Sequence, residues 1–537
     1  MSGGDWDRAG ELLALGHHHR ALLRLPSPGE VDVYPRFAVS AQGCEFVDAE
    51  GRTYLDWMNG WGPVLLGYRH PKVEAAIRAQ LEAGPTLSIL HRVELDVAEL
   101  LVEMIPCAEM VAFGKNGSDA VTAAVRIARA HTGREVILHH GFHGFHDWYV
   151  CGYPEVPGVP KATAPLLHPF PYNDLGALEA LFRRFDGQVA AVVMEPVNVR
   201  LPDPGFLDGV RDLTHRHGAL LVFDEVVTGF RLARGGAQEF FDVVPDLACF
   251  GKAIGNGMPL SAVVGGRRHM RLLPKVGWGM TFSSETLSLA AARATLEVLR
   301  DEPVIAHLAR VGREVREGFH RACANDGVRC VLMGPDARMS FEFADQGGFG
   351  GDVLRTLFLR ECARNGVLTN GTLLPSYAHD GDAVRRTLAA MAAALAVVAG
   401  AIHGRESGVP PLFLAKGFVD SLAEQGESVL AISGWLLVDD ACAERIEIVA
   451  PSGATRRAEP IDRPDVAAVH PLARGGDRSG FVARLPADEF VGGAQWRFEI
   501  RGIRGGNVVF RCPVEMRARG GHAAAGPFDL SSGLVIA

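Results

Sequence analysis

The sequence predicts an α/β protein with a large doubly wound domain and a small α+β domain, followed by an all-β sandwich domain. Three observations support this prediction. Residues 70–285 alternate short apolar segments with helical patterns, which is typical of a parallel sheet covered by helices. Residues 287–402 are mainly helical in pattern. After residue 411 the pattern changes to short segments in which apolar and polar residues alternate, as in half-buried strands.

Length, charge and cysteine usage narrow the class of protein. A chain of 537 residues is too long for one core and predicts two to four domains. The net charge is −9 without a basic stripe, so we expect no nucleic-acid partner. The nine cysteines form no CxxC pair, which predicts a reducing, cytoplasmic location. The longest apolar run, 388–402, is too short for a membrane span and predicts a packed helix, so we expect no membrane partner.

The domain boundaries follow from changes in pattern along the chain. A strand pair is predicted around Phe46 and Tyr54, and residues 1–65 together with 287–403 are expected to form the small domain. Residues 66–286 would form the large domain. The segment 404–411 has the glycine and proline content of a linker. The β-sandwich is expected at 412–537, with strands at 428–438, 445–450, 480–485, 495–500 and 507–510.

Two charged side chains follow apolar strands of the predicted large sheet. Asp224 follows the run 219–223, and Lys252 comes just after the run 247–250. Side chains at the carboxyl ends of such strands form the usual ligand sites of open α/β sheets. A buried lysine loses its proton more readily than an exposed one and can then act as a nucleophile. The alternative is that Asp224 caps a turn and Lys252 is a solvated surface amine.

A predicted helix starts near Gly117 and Ser118, in the sequence KNGSDA. The start of a helix offers free backbone N–H groups, which bind phosphate. Ser118 could equally be an ordinary N-cap residue, and the two roles are compatible. The apolar side of this helix is predicted to carry Ala120, Val121, Ala124, Val125 and Ala128.

Two further groups of residues leave alternatives open. Four histidines, in the segment 139–146, could be interpreted as a metal site, but they lack the carboxylate or cysteine spacing of a zinc motif, so we predict no metal. Glu195 stands before Pro196 at the end of an apolar strand, where it either orients groups in a site or closes a turn. Phe142 and Val226 are each compatible with a plain core position.

Over roughly its first three quarters the chain resembles the class III aminotransferases, especially the branch containing glutamate-1-semialdehyde 2,1-aminomutase. The resemblance rests on several blocks in the family's order: Tyr54-Leu55-Asp56, Trp61-Gly62-Pro63, His70-Pro71, residues 113–133 and 140–147, Glu195-Pro196, Asp224-Glu225-Val226, Thr228-Gly229-Phe230-Arg231 and Gly251-Lys252. It implies the fold-type I fold and pyridoxal 5′-phosphate as the cofactor. In that setting Lys252 would be the nucleophilic amine, and Asp224 would hold a proton on the pyridine nitrogen.

The resemblance also implies the remaining cofactor contacts. Gly117 and Ser118 would bind the phosphate, Phe142 and Val226 would lie against the two faces of the ring, and Glu195 would orient groups nearby. Thr281, in GWGMTFSSE, resembles a threonine that the partner subunit lends to the phosphate, which implies a homodimer with shared sites.

The expected activity is ping-pong transfer of an amino group between an amine or amino acid and a carbonyl acceptor. The aminomutases carry a substrate-binding arginine in a loop before the first strand; here that stretch, 27–37, is shorter, with Arg36 the nearest arginine. Residues 370–374 also differ from the corresponding family stretch. An internal amino shift is therefore the alternative, and a non-catalytic scaffold for glycan assembly is the alternative from another class.

The C-terminal segment resembles an accessory β domain of bacterial glycosyltransferases over about 80 residues. The resemblance rests on Gly434-Trp435, Ile446-Glu447-Ile448, the run 463–471 and Gly480-Phe481. It implies carbohydrate contact, partner docking or stabilisation, and the sequence does not decide among the three.

Overall fold

A computed structural model of the chain describes residues 8–9, 12–14, 33–153, 156–347 and 349–403, and of the C-terminal part 415–424, 429–438, 441–450, 454–464, 478–486, 491–492, 495–504, 507–517 and 535–536. Within these residues, three sheets precede residue 404 and two follow it. The predicted linker 404–411 lies outside the described residues.

The strands before residue 404 belong to one large sheet and two small ones. They are β1 (Ala38–Gln42), β2 (Glu45–Asp48), β3 (Thr53–Asp56), β4 (Met110–Gly114), β5 (Val136–His140), β6 (Leu167–Pro169), β7 (Val189–Met194), β8 (Leu220–Asp224), β9 (Leu247–Phe250), β10 (Ser261–Gly265), β11 (Cys330–Met333), β12 (Met339–Phe343), β13 (Val367–Leu368) and β14 (Thr372–Leu373). The strand pair predicted around Phe46 and Tyr54 is confirmed as β2 and β3.

The helices lie between and around these strands. They are α1 (Pro71–Ala83), α2 (Arg92–Met104), α3 (Gly117–Thr132), α4 (Asp147–Val150), α5 (Leu175–Arg184), α6 (Phe206–Arg216), α7 (Ala237–Phe240), α8 (Arg267–Met270), α9 (Thr286–Asp301), α10 (Val304–Asp326), α11 (Gly351–Arg364) and α12 (Gly381–Ile402). The apolar side predicted for α3 is confirmed, since all five of its predicted residues are buried.

The large sheet has seven strands in the order β4-β10-β9-β8-β7-β5-β6. The five strands β5 to β9 run parallel to one another, and β10 runs antiparallel to both of its neighbours, β4 and β9. Every residue of β7 and β8 is buried, which explains why both are continuous apolar runs rather than alternating ones. Burying Val222 or Phe223, each 0% exposed, contributes about 1.5–3 kcal/mol relative to leaving the side chain in water.

The N-terminal strands join elements from much later in the chain. β3 pairs in parallel with β13, so a single small sheet contains residues from both 38–56 and 367–368. A second small sheet has the order β11-β12-β14. Helices α10 and α11 both pack against α12 and share one apolar core with the two small sheets.

Within the described residues, α12 is the one helix whose length and apolar composition would allow it to cross a membrane. Its buried positions include Met391, Leu395 and Val398, which belong to the core shared with α10 and α11. A helix that packs in the core of a protein can be as long and as apolar as a membrane span. The contacts of α12 therefore agree with the packed helix predicted at 388–402.

Eleven strands are described after residue 411. They are β15 (Ala415–Glu424), β16 (Val429–Val438), β17 (Ala441–Cys442), β18 (Arg445–Val449), β19 (Thr455–Arg457), β20 (Glu459–Ile461), β21 (Gly480–Pro486), β22 (Val491–Gly492), β23 (Gln495–Arg504), β24 (Asn507–Arg517) and β25 (Val535–Ile536). The five predicted strands coincide with β16, β18, β21, β23 and β24. These strands form two sheets, and their packing as a sandwich stays a prediction. Residues 465–471 of the glycosyltransferase-like motif lie outside the described residues.

Candidate active site

Asp224 and Lys252 lie at the carboxyl ends of two neighbouring parallel strands. Asp224 is the last residue of β8, and its register partner is Cys249 of β9. Lys252 begins the 3-10 turn that follows β9. Strand register therefore brings both side chains to one edge of the sheet, where open α/β sheets bind ligands.

A buried histidine holds the carboxylate of Asp224. His143 Nδ1 lies 2.8 Å from Asp224 Oδ2, and His143 Nε2 lies 3.1 Å from the carbonyl oxygen of His140. The carbonyl only accepts hydrogen bonds, so Nε2 carries a proton. The 2.8 Å contact between Nδ1 and Oδ2 is a hydrogen bond between the imidazole and the carboxylate. The second carboxylate oxygen, Oδ1, accepts a hydrogen bond from the backbone N–H of Val226 at 3.1 Å, so the orientation of the carboxylate is fixed.

The surroundings of Lys252 favour the neutral form of its amine. Burial lowers the pKa of Lys252, the negative charge of Asp224 opposes that shift, and the positive charge of Arg338 adds to it. Among the described residues, none accepts a hydrogen bond from its Nζ. The backbone of Lys252 is in the left-handed region with φ of +42°, which costs a non-glycine residue about 1 kcal/mol. Such strain is typical of functional positions.

Glycines allow the backbone of three connections to approach one another at this edge. A Cβ atom at Gly117 would lie 3.0 Å from both methyl carbons of Val226, and one at Gly251 would lie 3.3 Å from Val226 Cγ1. A Cβ atom at Gly62 would lie 3.5 Å from Cδ of Lys252, and its φ of +99° favours glycine. The side chain of Val226 therefore lies between the start of α3 and the turn that carries the lysine.

The amino end of α3 points free N–H groups at this edge. The helix begins at Gly117 with Asn116 as its N-cap residue, so the alternative that Ser118 is the N-cap is wrong. Ser118 is one residue further into the helix, and its Oγ accepts a hydrogen bond from Phe145 N at 3.3 Å. The carboxylate of Asp119 accepts the N–H of Asn116 at 2.7 Å. Within the described residues, nothing accepts from the N–H groups of Gly117 and Ser118, which remain available to an anion.

Glu195 comes directly after β7 and fixes the loop that carries Phe142. Its Oε2 accepts hydrogen bonds from Asn198 Nδ2 at 2.6 Å and from Phe142 N at 3.4 Å. Its Oε1 lies 3.7 Å from Nη1 of Arg338. Of the two roles that the sequence left open, these contacts favour the orienting role over that of closing a turn.

Arg231, in the TGFR block, joins the large sheet to the segments around it. Its Nη1 donates to the carbonyl oxygen of Pro375 at 2.9 Å, and its Nη2 donates to that of Gly62 at 3.2 Å. The residue is 1% exposed, and burial lowers its pKa to about 9. Arg231 therefore helps to fix the loop that carries Gly62 over Lys252.

The remaining predicted contact residues differ in their surroundings. Phe142 is 65% exposed and meets Tyr149 edge-on at 5.7 Å between ring centroids, whereas Val226 is partly buried. Thr281 lies on an exposed connection before α9, beside Phe282, which is 56% exposed. A phosphate contact through Thr281 involves a second chain and stays a prediction.

In the part of the chain that the structure describes, no group of three His, Cys, Asp or Glu side chains is placed to hold a metal ion. The histidines of segment 139–146 have other contacts. His143 faces Asp224, and His146 Nδ1 lies 2.8 Å from Thr122 Oγ1. His139 packs edge-on against Tyr149, and burial lowers its pKa to about 3.

Comparisons with known proteins identify the family. Residues 27–372 match the family described as Aminotransferase class-III. This chain belongs to the class III aminotransferases. This chain is 38% identical to the glutamate-1-semialdehyde 2,1-aminomutase of Syntrophobacter fumaroxidans, over 63% of this chain and 84% of that relative. The 3-aminobutyryl-CoA aminotransferase of Cloacimonas acidaminovorans is 36% identical over 57% of this chain and 75% of that relative.

Solved structures agree with this assignment. The FumI protein of Sphingopyxis sp. MTA144, solved with pyridoxal phosphate, superposes with a TM-score of 0.69 at 31% identity, covering 74% of this chain and 96% of that one. The aminotransferase therefore has the fold-type I α/β fold and is an enzyme that depends on pyridoxal 5′-phosphate. The predictions of a fold-type I catalytic part, of the enzyme class and of the cofactor are confirmed, whereas the C-terminal β-sandwich stays a prediction.

The residues at the sheet edge fit this cofactor. The free N–H groups of Gly117 and Ser118 suit a phosphate, and the amine of Lys252 has no partner among the described residues. The hydrogen bond from His143 orients the carboxylate of Asp224. A side chain larger than glycine at 117 would meet Val226, so the close approach of backbone that leaves this edge open depends on glycine there.

Sequence reasoning missed two residues of this site. The sequence pattern places His143 only in a possible metal cluster and in the block 140–147. Its position in the loop at the carboxyl end of β5 is the signal that could have found it, whereas its contact with Asp224 depends on the strand order. Arg338 follows no recognised motif, and it reaches Glu195 only through the packing of the small sheets against the large one. Its position could not be read from local pattern.

Proposed function

We propose that this aminotransferase moves an amino group between a small amine or amino acid and a carbonyl acceptor in two half-reactions, with Lys252 and Asp224 as its catalytic residues. One observation carries the proposal: the amine of Lys252, which has no hydrogen-bond partner among the described residues, and the carboxylate of Asp224, which is hydrogen-bonded to His143, lie at the carboxyl ends of the adjacent strands β9 and β8. When bound, pyridoxal phosphate supplies an electron sink for the bond that is broken at the substrate carbon.

Each of the chain's own groups has a part in this proposal. The neutral amine of Lys252, favoured by burial, would accept a proton from the substrate carbon and deliver it to C4′ of the cofactor. Asp224 keeps the pyridine nitrogen protonated, and His143 positions Asp224. Gly117 and Ser118 hold the phosphate at the amino end of α3. Phe142 and Val226 would lie against the two faces of the ring, and Glu195 holds the loop of Phe142.

A donor screen tests the proposal. Enzyme loaded with pyridoxal phosphate is mixed with single amines or amino acids, and the conversion of bound cofactor to its amino form is followed by absorption. An oxo acid added next should restore the first spectrum. If no donor in the screen converts the bound cofactor to its amino form, amino transfer is contradicted.

The internal amino shift is the second candidate, and the 38% identity to a glutamate-1-semialdehyde 2,1-aminomutase favours it. Incubation with glutamate-1-semialdehyde distinguishes the two. Formation of the isomer with a shifted amino group, without any added acceptor, would establish the aminomutase. Arg36 and residues 370–374, which depart from the aminomutase pattern, lead us to expect transfer between two substrates instead.

We also propose a homodimer in which each site uses Thr281 of the second chain. Three exposed apolar side chains, Leu87, Ile89 and Leu90, support this arrangement. They follow a segment that is joined to the start of α9, since Thr286 Oγ1 donates to the carbonyl oxygen of Gly84 at 2.8 Å. Exposed apolar side chains on this segment, together with the exposed Phe282 that follows Thr281 in the chain, are what a second copy would cover.

Mixing two inactive chains tests the shared site. Lys252→Ala and Thr281→Ala homodimers should each be impaired, because each site in them lacks one group. The mixture should regain roughly a quarter of wild-type activity, since random pairing makes about half of the dimers mixed and each of those has one of its two sites intact. Mixed dimers that form, as seen by native mass spectrometry, but recover nothing would refute the shared site.

We propose, finally, that residues 412–537 form a separate accessory β-sandwich for glycan or protein contact. The pairing supports a separate unit, because every described strand from β15 onward pairs with another strand of the same segment. The donor screen applied to a chain ending at Ser407 tests this. Unchanged half-reactions would support a separate domain, and loss of cofactor binding would show that the segment covers the catalytic part.

A further inference from the structure

Arg338 places a positive charge in the active site that the roles above do not use. The residue directly precedes β12. Its Nη1 donates to the carbonyl oxygen of Val197 at 3.0 Å, and its Nη2 donates to Asn198 Oδ1 at 2.8 Å. A guanidinium has five N–H donors, and these two bonds leave three. Among the described residues, none accepts a hydrogen bond from its Nε.

The nearest carboxylate does not neutralise this charge fully. Glu195 Oε1 lies 3.7 Å from Nη1 of Arg338, beyond hydrogen-bond distance, although the two side chains are only 7% and 13% exposed. Burial lowers the pKa of Arg338, and the charges of Glu195 and Asp224 oppose that shift. The guanidinium therefore retains both charge and free donors in a site with little water.

Hydrogen bonds link the residue before Arg338 to the loop over Lys252. Arg231 donates to the carbonyl oxygen of Ala337 at 3.4 Å and to that of Gly62 at 3.2 Å, and a Cβ atom at Gly62 would lie 3.5 Å from Cδ of Lys252. After burial and the charge of Asp224, the charge of Arg338 is the next influence on the pKa of Lys252. The other buried arginine of this region, Arg231, is 1% exposed and directs its guanidinium at backbone carbonyls. Arg338 is thus the arginine of this pair that can meet a ligand beside Lys252.

We propose that Arg338 binds a carboxylate group of the substrate, so that the enzyme takes amino acids and oxo acids in preference to simple amines and aldehydes. This inference rests on the proposed amino-transfer function. A carboxylate matches the planar fork of a guanidinium and forms two parallel hydrogen bonds with it. Val197 and Asn198 already hold the guanidinium in one orientation, so little freedom is lost when the anion binds.

Matched substrates that differ only in the carboxylate test the proposal. L-alanine and β-alanine are each compared with ethylamine, 4-aminobutyrate with propylamine, and pyruvate with acetaldehyde. In Arg338→Met, kcat/KM for the carboxylate members should fall about 100-fold, mainly through KM, because a buried charge partner is lost. The members without a carboxylate should change less than about threefold. Arg338→Lys should recover part of the loss, since it restores the charge without the fork.

Arg200→Met is the matched control, because Arg200 is an exposed arginine of the neighbouring loop, 4.0 Å from Glu342. It should leave both classes of substrate unchanged. Equal losses for both classes in Arg338→Met would show that Arg338 only supports Glu195 and would overturn the inference.

Binding without turnover separates this inference from the proposed function. Propionate, a carboxylate that cannot donate an amino group, is titrated by calorimetry into cofactor-loaded wild-type enzyme and Arg338→Met. Binding to the wild type that is lost in the variant supports the inference even if no donor reacts. Equal binding to the two proteins, or binding to neither, overturns it. Failure of every donor in the wild type counts against amino transfer alone.

Discussion

Replacing Lys252 with alanine should lower kcat by about 10⁴-fold or more, because both the nucleophile and the group that moves the proton are removed. Turnover measured with the best donor from the screen gives this value. Cofactor should still bind, more weakly, through the amino end of α3 and Asp224. A variant that keeps more than about a tenth of wild-type turnover would rule out Lys252 as the catalytic amine.

A chemical label gives an independent check of the same residue. Borohydride reduction of the cofactor-loaded enzyme should attach the cofactor covalently to Lys252, and peptide mapping should find it there. Lys72→Ala is the control, because Lys72 is 62% exposed and pairs with Glu302 on the surface. It should keep full activity. A label on any other lysine would contradict the assignment.

Replacing Asp224 with asparagine should lower kcat by about 10³-fold while the cofactor stays bound, because an amide cannot hold a proton on the pyridine nitrogen. The loss should appear in the half-reaction with a single donor, which isolates the proton transfer from product release. Comparable half-reaction rates in Asp224→Asn and the wild type would refute the role given to the carboxylate.

Replacing His143, which contacts Asp224, should give a smaller effect on the same half-reaction. His143→Gln removes the contact of 2.8 Å with Asp224 but leaves the carboxylate in place. Since one hydrogen bond to a charged group is worth about 1.5–3 kcal/mol, the half-reaction should slow roughly tenfold to a hundredfold, less than in Asp224→Asn. If His143 acts only through Asp224, then Asp224→Asn combined with His143→Gln should be no slower than Asp224→Asn alone.

The sequence by itself determined the class of fold and the two central residues. The continuous apolar runs of β7 and β8 predict strands buried on both faces, because only such strands need no polar side. Asp224 and Lys252 follow runs of this kind, so local pattern alone places them at a sheet edge. The apolar side of α3 likewise follows from the spacing of apolar residues within the helix itself. Each of these features depends on neighbours that are close in sequence.

Tertiary structure decided which groups surround those two residues. The order β9-β8-β7-β5 brings His143, from the loop after β5, against Asp224, and no spacing in the sequence encodes that order. Arg338 reaches Val197 and Glu195 only because the small sheets pack against the large one. The lowered pKa of Lys252 has the same origin, since burial and the charges of Asp224 and Arg338 come from segments far apart along the chain. Electrostatic environment depends on distance through space, which a local sequence pattern does not contain.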